Sequence, residues 1–132
     1  MQYFSIISLF PEFVEAYKHM GVVGKAVGNH LIDIKALNPR DFAENERRVD
    51  DSPYGGGPGM VMMIEPIAKC INQLKSERQY DEIIYMTPDG EPLEQKTLNM
   101  LSTYNNIIIL AGHYKGVDQR VRDIFVTKEK NL

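Results

Sequence analysis

Glycine, proline and charge crowd one stretch of the chain, Val49-Asp50-Asp51-Ser52-Pro53-Tyr54-Gly55-Gly56-Gly57-Pro58-Gly59-Met60. Four of the five residues from Gly55 to Gly59 are glycine. Glycine permits positive φ and lets a ligand or another chain come close to its amides. Pro53 and Pro58 stiffen the flanks. Tyr54 offers a ring on which an unpaired base can stack, and Arg47 and Arg48 add positive charge suited to phosphate. By composition alone, a plain surface loop fits the same residues. Asp50 and Asp51 can be read as an acid/base pair, but adjacent acids are more often a solvated part of a loop.

Two further loops combine glycine with polar groups: Thr87-Pro88-Asp89-Gly90 and Gly112-His113-Tyr114-Lys115-Gly116. Asp118 and Arg120 follow the second. An acid at the start of a helix is stabilised by the helix dipole, which accounts for Asp118; Arg120 is read as facing a loop or a partner chain.

Several chemistries are excluded. Gly24-Lys25-Ala26 lacks the Ser or Thr and the earlier glycine of a phosphate-binding P-loop, and no G-x-G-x-x-G follows the first strand. His19, His30 and His113 are scattered without a helical pair, so no metal site is expected. No serine stands in a nucleophile elbow. Cys70, the single cysteine, lies in an apolar periodic stretch and reads as a small core residue.

The elements that position these groups alternate along the chain. Gln2 to Leu9 reads as a buried strand, and Pro11 opens a helix with Phe13, Val14, Tyr17 and Met20 at helical spacing and Gly21 as its C-terminal cap. A short helix over Val22 to Asn29 and a half-buried strand over Leu31 to Leu37 follow. Asn38 to Gly59 reads as a long loop, and long loops in compact domains are usually functional or disordered. Next come a helix from Glu65 to near Glu77, a strand over Asp81 to Thr87 and a turn at Pro88-Asp89-Gly90. A helix over Leu93 to Ser102, with Leu98 and Leu101 inward, precedes a strand over Asn106 to Ala111. The short helix expected last covers Val117 to Phe125. The continuous run Ile107 to Leu110 marks a strand buried on both faces. The pattern predicts an α/β domain with a mostly parallel sheet and flanking helices. Ligands bind such sheets at the carboxyl ends of the strands, where the 87–90 and 112–116 loops fall.

The chain has 132 residues, 43% of them apolar and 25% charged, with a net charge of -3. These values fit a single globular domain. No apolar run is long enough for a membrane helix, and Met1-Gln2-Tyr3-Phe4 lacks the basic start of a secretory signal, so a cytoplasmic location is expected. The mild acidity gives no general attraction to nucleic acid, and any such binding needs a local basic patch or a partner.

Taken in order, Ile7-Ser8-Leu9-Phe10-Pro11-Glu12, Pro39-Arg40-Asp41-Phe42, the Val49 to Met60 string, Tyr85-Met86-Thr87-Pro88-Asp89-Gly90 and Gly112-His113-Tyr114-Lys115-Gly116-Val117-Asp118-Gln119-Arg120-Val121 resemble the bacterial tRNA (guanine-N1)-methyltransferases, across essentially the whole chain. The resemblance implies a SPOUT-type α/β-knot domain and methyl transfer from S-adenosylmethionine to the guanosine 3′ of the anticodon. It also implies a homodimer, tRNA as partner and no membrane. By motif match the methyl donor would meet Tyr85, Met86, Thr87, Pro88, Gly112 and Lys115. Lys115 stands where many members carry an acid, a departure that bears on any side-chain contact there. The guanine and anticodon arm would meet Arg48, Asp50, Tyr54, Gly55, Gly56, Gly57 and Gly59.

Family members continue past the position of Leu132 with a glycine-rich knot-closing segment, a linker carrying the general-base aspartate, and a tRNA-gripping helical domain. Residues 1–132 are therefore expected to form an incomplete N-terminal S-adenosylmethionine-binding domain without its catalytic base. The chain is expected to be inactive or partial, and the alternative is a folded, non-catalytic dimerisation or nucleic-acid-binding module.

Overall fold

The structure, a computed structural model, describes residues 1–44, 49–51, 61–112 and 116–131. In chain order the elements are β1 (Gln2–Ile7), α1 (Pro11–Tyr17), α2 (Gly21–Gly28), β2 (Ile32–Leu37), a 3-10 turn (Pro39–Phe42), β3 (Asp50–Asp51) and β4 (Val61–Met62). They continue with α3 (Ile64–Glu77), β5 (Glu82–Pro92), α4 (Gln95–Leu101), β6 (Asn106–Ala111), α5 (Gln119–Ile124) and β7 (Lys128–Asn131).

The described strands build a five-stranded, all-parallel sheet in the order β2-β1-β6-β5-β7, and β3 pairs antiparallel with β4 beside it. Residues two apart along a strand share a face. Ile7, Leu37, Ile83, Tyr85, Ile108 and Leu110 form one core with Ile67, Cys70, Ile71 and Leu74 of α3 and Val121 of α5. Their spacing in α3 (67, 70, 71, 74) is that of one helical face. On the opposite sheet face, Phe4, Ile84, Met86, Ile107 and Ile109 line a groove of about 290 Å³ with Leu98 and Leu101 of α4.

Local signals explain the joints. Pro11 opens α1 at a position that needs no amide donor. Asn38 Oδ1 accepts from the Arg40 amide at 3.0 Å and starts the 3-10 turn. Asp81 Oδ2 accepts from the amides of Asn105 and Asn106 at 2.9 and 3.0 Å, aligning the starts of β5 and β6.

Several expectations need correction. The first strand ends at Ile7, two residues early. Lys18, not Gly21, ends α1; Gly21, at φ 53, instead begins α2. The 38–59 stretch contains the 3-10 turn and β3. No turn breaks the chain at Pro88-Asp89-Gly90; β5 runs on to Pro92 with an irregularity between Met86 and Glu91, because β7 pairs on both sides of it. The strand β7 was not foreseen. Leu98 and Leu101 do face the sheet across the groove, but Leu98 remains 42% exposed and Leu101 partly covered. Among the described residues, no helix is long and apolar enough to cross a membrane.

Candidate functional site at the carboxyl ends of β5 and β6

The connections leaving β5 and β6 diverge. After β5 the chain turns to α4, whose leucines lie on the groove face. After β6 it turns to α5, whose Val121 lies in the core on the other face. Divergent connections of this kind open a crevice at the carboxyl ends of neighbouring parallel strands.

Met86, Thr87 and Pro88 on β5 and Gly112 just past β6 belong to this end of the sheet. Tyr85 and Met86 point to opposite faces: Met86 lines the groove, while Tyr85 sits in the core at 3% exposure. Tyr85 is therefore not an open pocket wall. Its ring lies against the two glycines that bracket the next loop. A Cβ placed on Gly112 would lie 2.8 Å from Tyr85 Cε1, and one on Gly116 would lie 3.0 Å from the Tyr85 hydroxyl. Burial pushes the Tyr85 phenol above its ordinary pKa; hydrogen bonding with Thr87, the charge of Arg122 and the Val117 backbone oppose this. Thr87 is itself buried, and its hydroxyl accepts a long bond from the Asp89 amide at 3.4 Å.

Asp50 lies on β3, opposite Met62 of β4. Met62 then joins the ribbon to the segment after β6. Its amide donates to Gly116 O at 2.9 Å, its carbonyl accepts from the Asp118 amide at 2.9 Å, and it forms a parallel bridge with Val117. The Met63 amide adds a 2.6 Å bond to Val49 O. Asp51 and Val61, the residues on either side of 52–60, face each other in register. Backbone bonds thus tie Asp51 and Val61, which flank 52–60, through Met62 to the segment that follows β6. Of the residues expected to contact ligands, Arg48, Tyr54, Gly55, Gly56, Gly57, Gly59 and Lys115 lie outside the described residues, as does His113.

Asp118 caps α5. It accepts from the Arg120 amide at 2.9 Å, and its two oxygens take Arg120 Nε at 3.0 Å and Nη2 at 2.6 Å. The Arg120 side chain, foremost, holds the Asp118 carboxyl below its ordinary pKa against the effect of burial. Arg120 is thus engaged with Asp118, consistent with the dipole reading of that acid. Sequence reasoning missed Met62, Arg122 and Glu129. Met62 looks like any core methionine, and the Arg122–Glu129 pair spans an element that had no strand signal. Among the described residues no cluster of His, Cys, Asp and Glu could hold a metal ion.

Comparison with known proteins fits this geometry. The family model described as tRNA (guanine-1)-methyltransferase TrmD matches residues 1–132. Proteins named tRNA (guanine-N(1)-)-methyltransferase from Christiangramia forsetii and Flavobacterium johnsoniae are each 55% identical over 128 residues, covering 96% of this chain and 57% of theirs. The protein of that name from Bacteroides fragilis is 50% identical over the same length. The crystal structure of tRNA (m1G37) methyltransferase from Aquifex aeolicus superposes with a TM-score of 0.91 at 35% identity, covering 99% of this chain and 59% of that one. The chain thus spans under two thirds of the length of these relatives.

Proposed function

Since this chain belongs to the TrmD family of tRNA (guanine-N1)-methyltransferases, we propose that it supplies the methyl-donor crevice and the guanine-facing insert of such an enzyme, acting on the guanosine 3′ of the anticodon. One observation supports the reading: the Met62 bonds to Gly116 and Asp118 join the β3–β4 ribbon, which flanks 52–60 in sequence, to the segment that follows β6. A donor site and an acceptor site must adjoin for a methyl group to pass between them.

The residues present suit S-adenosylmethionine. Backbone from Met86 to Pro88, where β5 runs on past the end of β6, and around Gly112 can hydrogen-bond an adenosyl group, and the Met86 thioether adds apolar, polarisable contact. When bound, that donor supplies an electrophilic methyl group. In our reading Thr87 and Pro88 shape one wall and Gly112 the other. Asp50 sits on the ribbon that leads to the insert and faces the guanine with it. Arg48 and Tyr54 would take phosphate and base. Lys115 is assigned to the same loop through its backbone. Removal of the guanine N1 proton is assigned to the aspartate that the family resemblance places beyond Leu132.

A second reading, a self-associating module, is favoured by α1 and α2, which bury no residue and expose Phe13 (63%), Tyr17 (67%) and Val22 (84%). Exposed apolar area on this scale marks an interaction surface, and we assign it to a homodimer. The two readings are compatible.

The test is an NMR titration of the isotope-labelled chain with S-adenosylhomocysteine. Weak but saturable shifts confined to 86–90, 112 and 116–118 are expected. Shifts elsewhere, or none, refute the donor site. Sedimentation is expected to show a dimer, and a clean monomer overturns the self-association.

A further inference from the structure

Three elements converge on one buried ring. Tyr85 of β5 and Glu129 of β7 are register partners across the parallel pair. Arg122 of α5 sets its guanidinium 5.7 Å from the centre of the Tyr85 ring, within reach of a cation–π contact. The same guanidinium donates Nε to Glu129 Oε2 at 3.0 Å and Nη2 to Glu129 Oε1. This two-pronged pairing fixes orientation as well as distance. Against the ring's edge and hydroxyl stand two glycines, four residues apart. Gly112 leaves no room for a Cβ, and Gly116 combines φ +124 with a Cβ position 3.0 Å from the phenol oxygen. The ring is thus clamped from α5 and β7 and is itself the seat on which both ends of the post-β6 loop rest.

We propose that Tyr85 is a positioning residue, with Arg122 and Glu129 as its clamp, and that together they set where Gly112 and Gly116 stand for the methyl donor. This rests on the donor-site reading above and alters it at one point: Tyr85 acts beneath the crevice rather than as a wall of it. The seat extends further. Gly116 O accepts from the Met62 amide and Met62 O from the Asp118 amide, so the ring also sets the ribbon that carries Asp50. The guanidinium's charge is answered mainly by Glu129, with the face of the neutral ring as a second, weaker contact.

Hydrogen exchange on the full chain tests this without relying on activity. The amides of Met62 and Asp118 report the Gly116 seat, and those of Ile108 and Leu110 report the sheet. Arg122→Gln is expected to speed exchange at Met62 and Asp118 by about tenfold or more, with under about twofold change at Ile108 and Leu110. Arg122→Lys should not restore protection, because an ammonium lacks the planar fork, whereas the swap Arg122→Glu with Glu129→Arg should restore most of it. Affinity for S-adenosylhomocysteine should fall in Arg122→Gln and recover in the swap. Equal acceleration at all four amides would show a general structural role and overturn the proposal, as would unchanged exchange at Met62 and Asp118. A wild-type chain that gives no shifts with S-adenosylhomocysteine refutes the donor site, and with it the purpose assigned to the clamp, whatever the exchange pattern.

Discussion

Gly90 provides the sharpest test of how β7 is held. A Cβ on this residue would lie 2.6 Å from the Lys130 nitrogen, 2.7 Å from the Lys130 carbonyl carbon and 2.8 Å from that of Glu129. Ordinary contact between such atoms is ~3.5–4.0 Å, so the Gly90→Ala variant must push backbone, not a pliant side chain, by ~1 Å. Overpacking of this kind costs about 1–3 kcal/mol. Displacing the end of β7 also strains the 2.7 Å bond from the Leu93 amide to Asn131 O, with a net worth of ~1 kcal/mol. The alanine restricts the unfolded chain and returns ~0.4–1 kcal/mol. The balance is a loss of roughly 2 kcal/mol, or a fall in melting temperature of roughly 6–10 °C for a chain of this size. Urea unfolding followed by circular dichroism measures the first, and backbone chemical shifts of 128–131 show where the damage lies. Gly28→Ala is the control, since nothing lies within 4 Å of its Cβ position, and it should be neutral or slightly stabilising. If Gly90→Ala unfolds within ~0.5 kcal/mol of the parent, with the 128–131 shifts unmoved, the close pairing of β5 with β7 is refuted.

Asp118→Asn keeps a capping oxygen for α5 and should cost about 0.5 kcal/mol through the lost charge pairing with the half-exposed Arg120. Because the folded carboxyl titrates below its ordinary value, its contribution is complete above the unfolded pKa of ~4 and disappears as pH falls through the folded one. Parent and variant should therefore converge in acid, and equal stabilities at neutral pH would count against the Asp118–Arg120 pairing. Burial, with smaller help from Asp41, pushes the Cys70 thiol up to about 12, and the residue is fully buried. A thiol-specific disulfide reagent should leave it untouched in the native chain and label it stoichiometrically in denaturant; rapid native labelling would contradict its place in the core.

What could be read in advance depended on how each element is stabilised. The β6 strand was legible because Ile107 to Leu110 is apolar on both faces, as a central parallel strand requires. The helix α3 was legible because 67, 70, 71 and 74 repeat with the helical period, and α1 because Pro11 opens it. Strand β7 was not, because Lys128-Glu129-Lys130-Asn131 has neither alternation nor β-branched residues, and backbone pairing with β5 holds it in place. That pairing also overrode the turn signal of Pro88-Asp89-Gly90. At the site, the position of Met86, Thr87 and Gly112 beside the end of β6 followed from the α/β pattern, although Met86 and Thr87 lie within β5 and not at its end. The direction of Tyr85 did not, because Ile83-Ile84-Tyr85-Met86 offers no polar residue to tell one face from the other. The tie through Met62 is made by main-chain groups, which leave no mark in residue type.

The strand order has a consequence for how the molecule comes into being. The first strand synthesised, β1, needs β6 as its second neighbour, and Tyr3 through Ile7 meet residues 106 through 110 there. Contacts this distant in sequence slow folding. During synthesis β1 can join only β2 at first, and its other edge waits, open to mispairing, until residues 106–110 have left the ribosome.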